Sequence, residues 1–248
     1  STKKKTIWKK PLKAKNAAKQ PQIRFKAVKV LGILLFNSCT SCTKNIISFW
    51  QDNNCYSSKK INFVKMFSQF RYLFFSILSG LALGLAWPTN GFTLLIFISL
   101  VPLLYLEKLV RNDFNGRKAI RIFCYSYLSF LIWNLITTWW LYNSTVYGML
   151  FANFCNSLFY SIIFLSFYWV KSRMPLRSAY IFFSCSWLAF EKLHLTWDFS
   201  WSWLNLGNVF SEKTNWIQWY EYTGVFGGSL WILIINIGFF EVFKNHYQ

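Results

Sequence analysis

The sequence predicts an all-α, polytopic membrane protein with six transmembrane helices. Three observations lead to this fold class: a composition poor in charge, six long apolar segments, and basic residues confined to alternate connections between those segments. Of the 248 residues, 54% are hydrophobic, 22% are aromatic and only 14% are charged. Soluble domains carry about 25% charged residues, so the deficit indicates a surface that faces lipid.

Six segments approach or reach the length of a membrane span. An α-helix needs about 20 apolar residues to cross roughly 30 Å of hydrocarbon. The predicted spans are 72–87, 91–106, 122–142, 146–170, 178–195 and 224–243. The turn sequence "PTN" joins the first two as a tight helical hairpin, and only "NST" separates the third from the fourth.

Positive charge alternates along the connections. Lys and Arg lie before residue 72, in the loops 107–121 and 171–177, and after residue 243. The intervening connections carry no charge or are acidic, with four acids against two lysines in 191–223. Because positive charge favours the cytoplasmic side, we predict an N-in/C-in topology with both termini in the cytoplasm.

The N-terminal part of the chain differs from the rest. The segment before the first span holds 16 of the 27 Lys and Arg residues and a single acid, Asp52. Such a segment could neutralise nucleic-acid phosphates, but beside an apolar span it is more simply a cytoplasmic tail facing anionic lipid. We therefore expect no nucleic-acid partner. We predict a basic N-terminal extension without fixed structure over 1–65 and a transmembrane domain over 66–248. Translation from Met66 would omit the extension; removal of a methionine before Ser1 is the alternative.

The cysteines fall into two groups. Cys39 and Cys42 form a C-x-x-C motif, which would suggest zinc or redox chemistry if a second pair or a histidine lay nearby. Neither does, so we predict no metal and no cofactor. Cys124, Cys155 and Cys185 lie in apolar segments, where a thiol packs as a small hydrophobe. We interpret these three as structural.

The connection 196–223 is the longest one predicted outside the cytoplasm, and it is rich in tryptophan. Its tryptophans are Trp197, Trp201, Trp203, Trp216 and Trp219. Tryptophan concentrates at the membrane–water boundary, and "NWIQWYEY" places its aromatic residues on one face of a short interfacial helix. We therefore expect this connection to lie along the outer leaflet. The alternative is that these residues only anchor the ends of two spans.

One ionisable residue, Glu191, falls inside a predicted span. It lies about 21 Å along the fifth helix at 1.5 Å per residue, which is within the hydrocarbon. A carboxylate there is costly unless it is paired, so Glu191 is a functional candidate. Trp187, Glu191 and His194 share a helical face, so His194 could pair with the carboxylate. The alternative is a tilted helix that places Glu191 at the interface beside Lys192.

Several short sequence elements follow one another along residues 72–243. A Gly-rich span, "LSGLALGLAWPTNGF", precedes a span that ends in "ISLVPLLYL", and "WNLITTWWLYNSTVYGM" follows. A Trp-x-x-x-Glu element then leads to Trp-Leu-x-x-Gly in "SWLAFEKLHLTWDFSWSWLNLGN", before the Gly-rich span of "YEYTGVFGGSLWILIINIGFF". Over residues 72–243 these elements resemble the membrane portion of the bacterial apolipoprotein N-acyltransferase family.

The resemblance implies an enzyme that transfers an acyl chain from a phospholipid to the N-terminal amine of a lipid-modified lipoprotein. Membrane phospholipid would be the acyl donor and the lipoprotein the acceptor, in the bacterial cytoplasmic (inner) membrane. In this family the chemistry belongs to a nitrilase-like domain with a Glu–Lys–Cys set, which would follow residue 248. No catalytic residue can be assigned to this chain. We therefore expect a fragment or a degenerate member that is inactive alone.

Within this resemblance, the membrane portion would present acyl chains to the active site. We predict a lipid or substrate portal with the segment 198–208 at its lip, where Gly207 permits a turn and Trp201 and Trp203 pack on acyl chains or headgroups. The candidate portal residues are Trp187, Glu191, Trp201, Trp203, Asn205, Gly207 and Glu221.

Two other classes of protein fit parts of the sequence. A small six-span transporter or channel would use intramembrane polar residues to line a path, although we find no internal repeat of the kind that many transporters carry. Those residues would be Asn134, Asn153, Asn156 and Glu191. The third possibility is a noncatalytic membrane protein that binds lipid.

Overall fold

A computed structural model of the chain describes residues 69–87, 91–113, 116–198 and 200–246, all within the unit 65–248. This part contains six α-helices: α1 Gln69–Leu85, α2 Val101–Asn112, α3 Lys118–Thr137, α4 Val146–Lys171, α5 Leu176–Thr196 and α6 Tyr220–His246. It also contains five short 3-10 segments: Thr93–Phe97, Trp139–Asn143, Ser202–Leu204, Leu206–Phe210 and Thr214–Trp216. The described residues form no β-strand, so the all-α fold class is confirmed.

The number of spans is smaller than predicted. Four helical segments in the described part are long and apolar enough to cross a membrane: Thr93–Asn112, Lys118–Thr137, Val146–Lys171 and Tyr220–Asn245. The first predicted span is described as α1, which is shorter than a full span. The fifth predicted span, α5, is long enough, but Glu191, Lys192 and His194 near its end make it less apolar. The predicted count of six is therefore wrong by length and composition.

The N-terminal extension predicted over 1–65, with Cys39 and Cys42, lies outside the described residues. The N-in/C-in topology stays a prediction.

The second span is broken where one helix was predicted over 91–106. A 3-10 segment, Thr93–Phe97, precedes α2. A side chain from α6 satisfies the backbone at the break: Asn236 Oδ1 accepts from Leu100 N at 2.8 Å, and Asn236 Nδ2 donates to Ile96 O at 2.8 Å. Polar backbone groups within a membrane need protein partners, so Asn236 makes this irregular segment tolerable.

The Gly-rich sequence of α1 allows close helix packing. A Cβ on Gly80 would lie 2.5 Å from Ser129 O and 2.9 Å from Ile132 Cβ, and one on Gly84 would lie 2.9 Å from Ile136. Small residues at i and i+4 let two membrane helices approach this closely. The glycines therefore fix α1 against α3.

Buried amides connect α3 to α4. Asn156 Nδ2 donates to Asn134 Oδ1 at 2.7 Å, and the Thr138 hydroxyl donates to Asn153 Oδ1 at 2.6 Å. All four residues are almost fully buried. These asparagines, which a channel would use to line a polar path, bind across the helix interface and fix the register of α3 against α4.

Glu107, in the C-terminal half of α2, is a buried carboxylate. The sequence analysis assigned Glu107 to a loop, but α2 continues to Asn112 and Glu107 is fully buried. It accepts from Arg111 Nε at 2.6 Å and from Lys171 Nζ at 2.5 Å. This paired carboxylate ties α2 to the end of α4, as a buried ion with two partners can.

The core between α3, α4 and α5 is aromatic. Its largest side chains are fully buried: Phe130, Trp133, Tyr160, Phe183 and Trp187. Ring centroids of Tyr160 and Trp187 are 4.7 Å apart, and those of Trp133 and Tyr160 are 5.2 Å apart. Such pairs add to the stabilisation from burial alone. This core supports the connection between α5 and α6, because the Tyr160 hydroxyl donates to Leu204 O at 3.4 Å.

Candidate functional site

The middle of the connection between α5 and α6 folds into the helix bundle. Leu204, Leu206, Val209 and Phe210 are fully buried or nearly so. Leu204 ends the 3-10 segment Ser202–Leu204, and the other three belong to the 3-10 segment Leu206–Phe210. We call residues 204–210 the inserted segment. The sequence predicted a connection lying along the outer leaflet, whereas this part of it is packed against protein.

Glu191 attaches the inserted segment to α5. Its Oε1 accepts from Leu206 N at 2.8 Å and from Trp187 Nε1 at 3.0 Å. The side chain is 0% exposed. The spacing of the Trp-x-x-x-Glu element explains the first bond, because one helical turn places the indole N–H of Trp187 beside the Glu191 carboxylate. The second bond comes from a backbone N–H of the inserted segment.

The backbone of Gly207 connects the inserted segment to α6. Ser229 Oγ of α6 accepts from Gly207 N at 2.9 Å. The Tyr220 hydroxyl donates to Gly207 O at 3.0 Å. Two helices therefore hold the backbone of residues 206 and 207 through hydrogen bonds.

Gly207 is required by a close approach of two backbones. A Cβ at this position would overlap Val225 O of α6 and lie 2.8 Å from Val225 Cγ2. The sequence analysis attributed Gly207 to a turn, but among the described glycines only Gly224 has a positive φ, 65°. The lack of room for a Cβ beside Val225, rather than a left-handed backbone conformation, therefore explains the glycine in Trp-Leu-x-x-Gly.

His194 binds the start of the connection rather than Glu191. His194 Nδ1 lies 3.3 Å from Trp201 O, and Trp201 N donates to His194 O at 2.9 Å. The suggested pairing of His194 with the carboxylate is therefore replaced by a contact with the Trp201 backbone. Glu191 is fully buried within the protein and Lys192 is exposed, while the depth of Glu191 in the membrane stays a prediction.

The structure separates the predicted portal residues into two groups. Trp187, Glu191, Asn205 and Gly207 are buried together around the inserted segment, and Trp201 is half-buried beside them.

The remaining two predicted residues, Trp203 and Glu221, are exposed. The ring centroid of Trp203 lies 5.7 Å from that of Trp140 in an edge-to-face contact, and Glu221 lies in the first turn of α6. Sequence reasoning missed Trp140, Tyr160, Tyr220 and Ser229. Their only sequence signal was membership of aromatic or small-residue runs, which does not identify partners on other helices.

Comparison with known proteins identifies relatives of this chain. The family model described as "Apolipoprotein N-acyltransferase N-terminal domain" matches residues 79–238. The chain is 35% identical over 168 residues to the Apolipoprotein N-acyltransferase of Chlorobaculum tepidum. That alignment covers 66% of this chain but 30% of the relative, so the chain corresponds to less than a third of the relative's length. No solved structure matches the chain. Because the family model spans more than half of its residues, the chain belongs to the apolipoprotein N-acyltransferase family.

Proposed function

We propose that this chain forms the membrane portion of an enzyme that transfers an acyl chain from a phospholipid to the N-terminal amine of a lipid-modified lipoprotein in the bacterial inner membrane. The observation that carries this proposal is the connection between α5 and α6. Its inserted segment is fixed by Glu191 and Gly207, while Trp203 next to it is 59% exposed. A rigid support for an exposed aromatic side chain suits a surface that receives lipid.

The proposed entrance consists of Trp140 and Trp203, which we call the tryptophan pair. Trp140 is 41% exposed and belongs to the 3-10 segment Trp139–Asn143, in which Trp139 and Tyr142 are also exposed. Indole rings favour the depth where acyl chains meet polar headgroups. Because Trp203 directly precedes the tethered inserted segment, it is presented with little conformational freedom to lose when an acyl chain packs on it.

We assign the acyl transfer itself to a part of the enzyme other than this membrane portion. The family resemblance implies a nitrilase-like domain that supplies a nucleophile, a base and an oxyanion donor. We expect the chain 1–248 alone to bind phospholipid and to show no acyl transfer. This separates the proposed role, lipid presentation, from catalysis in the complete enzyme.

Removing Trp203 should weaken contact with lipid without unfolding the bundle. Phospholipid carrying a diazirine in one acyl chain should crosslink to peptides containing 139–143 and 202–204 when the whole chain is in nanodiscs. Trp203→Ala should lower that yield about tenfold, because burying one large aromatic side chain contributes roughly 1.5–3 kcal/mol. Peptide mass spectrometry measures the yield at each segment.

Trp216→Ala is the matched control, since Trp216 is an exposed indole, 43% accessible, in the same connection. Its crosslinking at the tryptophan pair should match the unmodified chain. Equal yields for Trp203→Ala and the unmodified chain would contradict the entrance and leave Trp203 as an interfacial anchor only.

A further inference from the structure

One end of the helix bundle brings together the ends of several helices. Asp113, directly after α2, accepts from the Tyr72 hydroxyl of α1 at 3.0 Å and from Arg121 Nη1 of α3 at 2.7 Å. Lys171 Nζ, at the end of α4, donates to Glu107 of α2. These bonds place the starts of α1 and α3 beside the ends of α2 and α4.

The remaining two helices join the same end. The Tyr180 hydroxyl of α5 donates to the Glu241 carboxylate of α6. Lys171 Nζ lies 5.9 Å from the ring centroid of Tyr180 and 5.7 Å from that of Phe240 of α6. The start of α5 and the end of α6 therefore lie beside the end of α4, so the basic connections of the sequence meet on one face of the protein.

This face carries a surplus of positive charge. Its acids among the described residues are Glu107, Asp113 and Glu241, and each already pairs with a cation of the same end. The cations, which we call the basic face, are Arg71, Lys108, Arg111, Arg117, Lys118, Arg121, Lys171, Arg173, Arg177 and Lys244. Only four of them take part in salt bridges within the part of the chain that the structure describes. The others repel one another, and an anion would relieve that repulsion.

The first turn of α3 adds to this positive charge. Arg117, Lys118 and Arg121 belong to this turn or precede it directly, with no acid in the turn and no side-chain cap. Unpaired backbone N–H groups give the start of a helix a partial positive charge, which acidic side chains stabilise. Here the cations and the helix dipole act in the same sense, so this part of the basic face also favours an anion.

Exposed apolar side chains accompany the cations. Ile120, Trp169 and Ile181 are all exposed, and each lies within four residues of a cation of the basic face. A soluble anion or an acidic protein segment would use the cations alone. A phospholipid uses both features, because its headgroup meets the cations while its acyl chains cover the apolar side chains.

We infer that the basic face binds the headgroups of anionic phospholipids. Clusters of Lys and Arg at the ends of membrane helices attract anionic lipid, and a guanidinium group matches the geometry of a phosphate through two parallel N–H bonds. The exposed side chains of Arg173 and Arg177, in the connection between α4 and α5, have this chemistry. Headgroup charge, rather than the acyl chain, is what this surface recognises.

This lipid is distinct from the acyl donor of the proposed function. Because α3 starts and α4 ends at the basic face, the connection between them, which contains Trp140, lies at the other end of the bundle. The described charges of the connection between α5 and α6, which contains Trp203, are three exposed acids and one lysine, Lys213. The inference therefore does not depend on acyl transfer.

Photocrosslinking tests the basic face. The full chain would be placed in phosphatidylcholine nanodiscs that contain a trace of either phosphatidylglycerol or phosphatidylcholine, each with the same diazirine near its ester. We expect phosphatidylglycerol to label peptides from 117–121 and 171–177 about tenfold more, a factor of the size that one or two such charges contribute. The excess should shrink at high salt, because salt screens exposed charges.

A matched pair of double variants provides the second measurement. Arg173→Glu with Arg177→Glu should lower phosphatidylglycerol labelling at 171–177 at least about tenfold. Lys192→Glu with Lys213→Glu changes the net charge by the same amount at exposed positions of the other end, and it should leave this labelling unchanged. Both variants keep the basic residues of 1–65, so that segment cannot account for a difference between them.

The outcomes separate this inference from the proposed function. Equal labelling by the two lipids, or an equal loss in both double variants, overturns the lipid surface even if diacyl lipid still crosslinks at the tryptophan pair. Displacement of phosphatidylglycerol by soluble polyglutamate at low concentration would also overturn it, because the surface would then suit an acidic protein. If the charge-reversal variant does not insert, Arg173→Gln with Arg177→Gln and the comparison of the two lipids on the unmodified chain decide the question.

Discussion

Replacing Glu191 with Leu should lower the free energy of unfolding by about 2–6 kcal/mol. The reason is that Glu191 Oε1 accepts from both Leu206 N and Trp187 Nε1 in a fully buried site, and each buried donor left without an acceptor costs about 1–3 kcal/mol. Unfolding in mixed micelles titrated with sodium dodecyl sulfate measures the change. Hydrogen exchange should show faster exchange at the amides of the inserted segment.

Glu191→Gln is the matched control because its side-chain carbonyl keeps an acceptor for both donors. We expect it to cost less than half as much as Glu191→Leu, a difference that follows from the donors that remain paired. If the Leu variant is as stable as the Gln variant, the carboxyl group does not brace the connection and its burial needs another explanation.

Gly207→Ala should destabilise the protein by about 1–3 kcal/mol, the usual cost of forcing extra atoms into a packed site. Its new methyl group would overlap Val225 O of α6. The inserted segment must then move away from α6, which weakens the bonds from Gly207 N to Ser229 and from Tyr220 to Gly207 O. Because this segment supports Trp203, crosslinking of diacyl lipid at the tryptophan pair should fall as well.

Gly238→Ala serves as the control because a Cβ there meets nothing within 4 Å and the residue lies inside α6. Alanine is a better helix former than glycine by up to about 1 kcal/mol, so this variant should be as stable as the unmodified chain or more stable. Similar destabilisation in both variants would show that Gly207 is not limited by its contact with Val225.

The long apolar runs made the main helices predictable. The helices predicted over 146–170 and 178–195 agree in their bounds with α4 and α5 within a few residues, although only α4 is apolar enough to count as a span. The third span was predicted to continue to residue 142, yet α3 ends at Thr137 and a 3-10 segment follows. Hydropathy does not distinguish a helix from a compact turn of exposed aromatic residues.

The candidate site was only partly readable from the sequence. The spacing of Trp187 and Glu191 placed them on one helical face, and their hydrogen bond confirms that geometry. Local spacing carried no information about which distant residue would bind the carboxyl group, and this proved to be Leu206, through its backbone N–H. The same limit applies to Glu107, because its pairing with Arg111 is local whereas its second partner, Lys171, comes from another helix.

The bridge from Asn236 to the broken second span has a consequence for biosynthesis. Its two bonds join residues 136 and 140 positions apart, and chains emerge from the ribosome in order from the N-terminus. Until Asn236 arrives, Ile96 O keeps its bond from Ser99 Oγ, but Leu100 N lacks its acceptor, and an unpaired polar group in hydrocarbon costs several kcal/mol. The nascent second span is therefore left incomplete, and insertion of α6 locks an early segment and a late one together in a single assembly step.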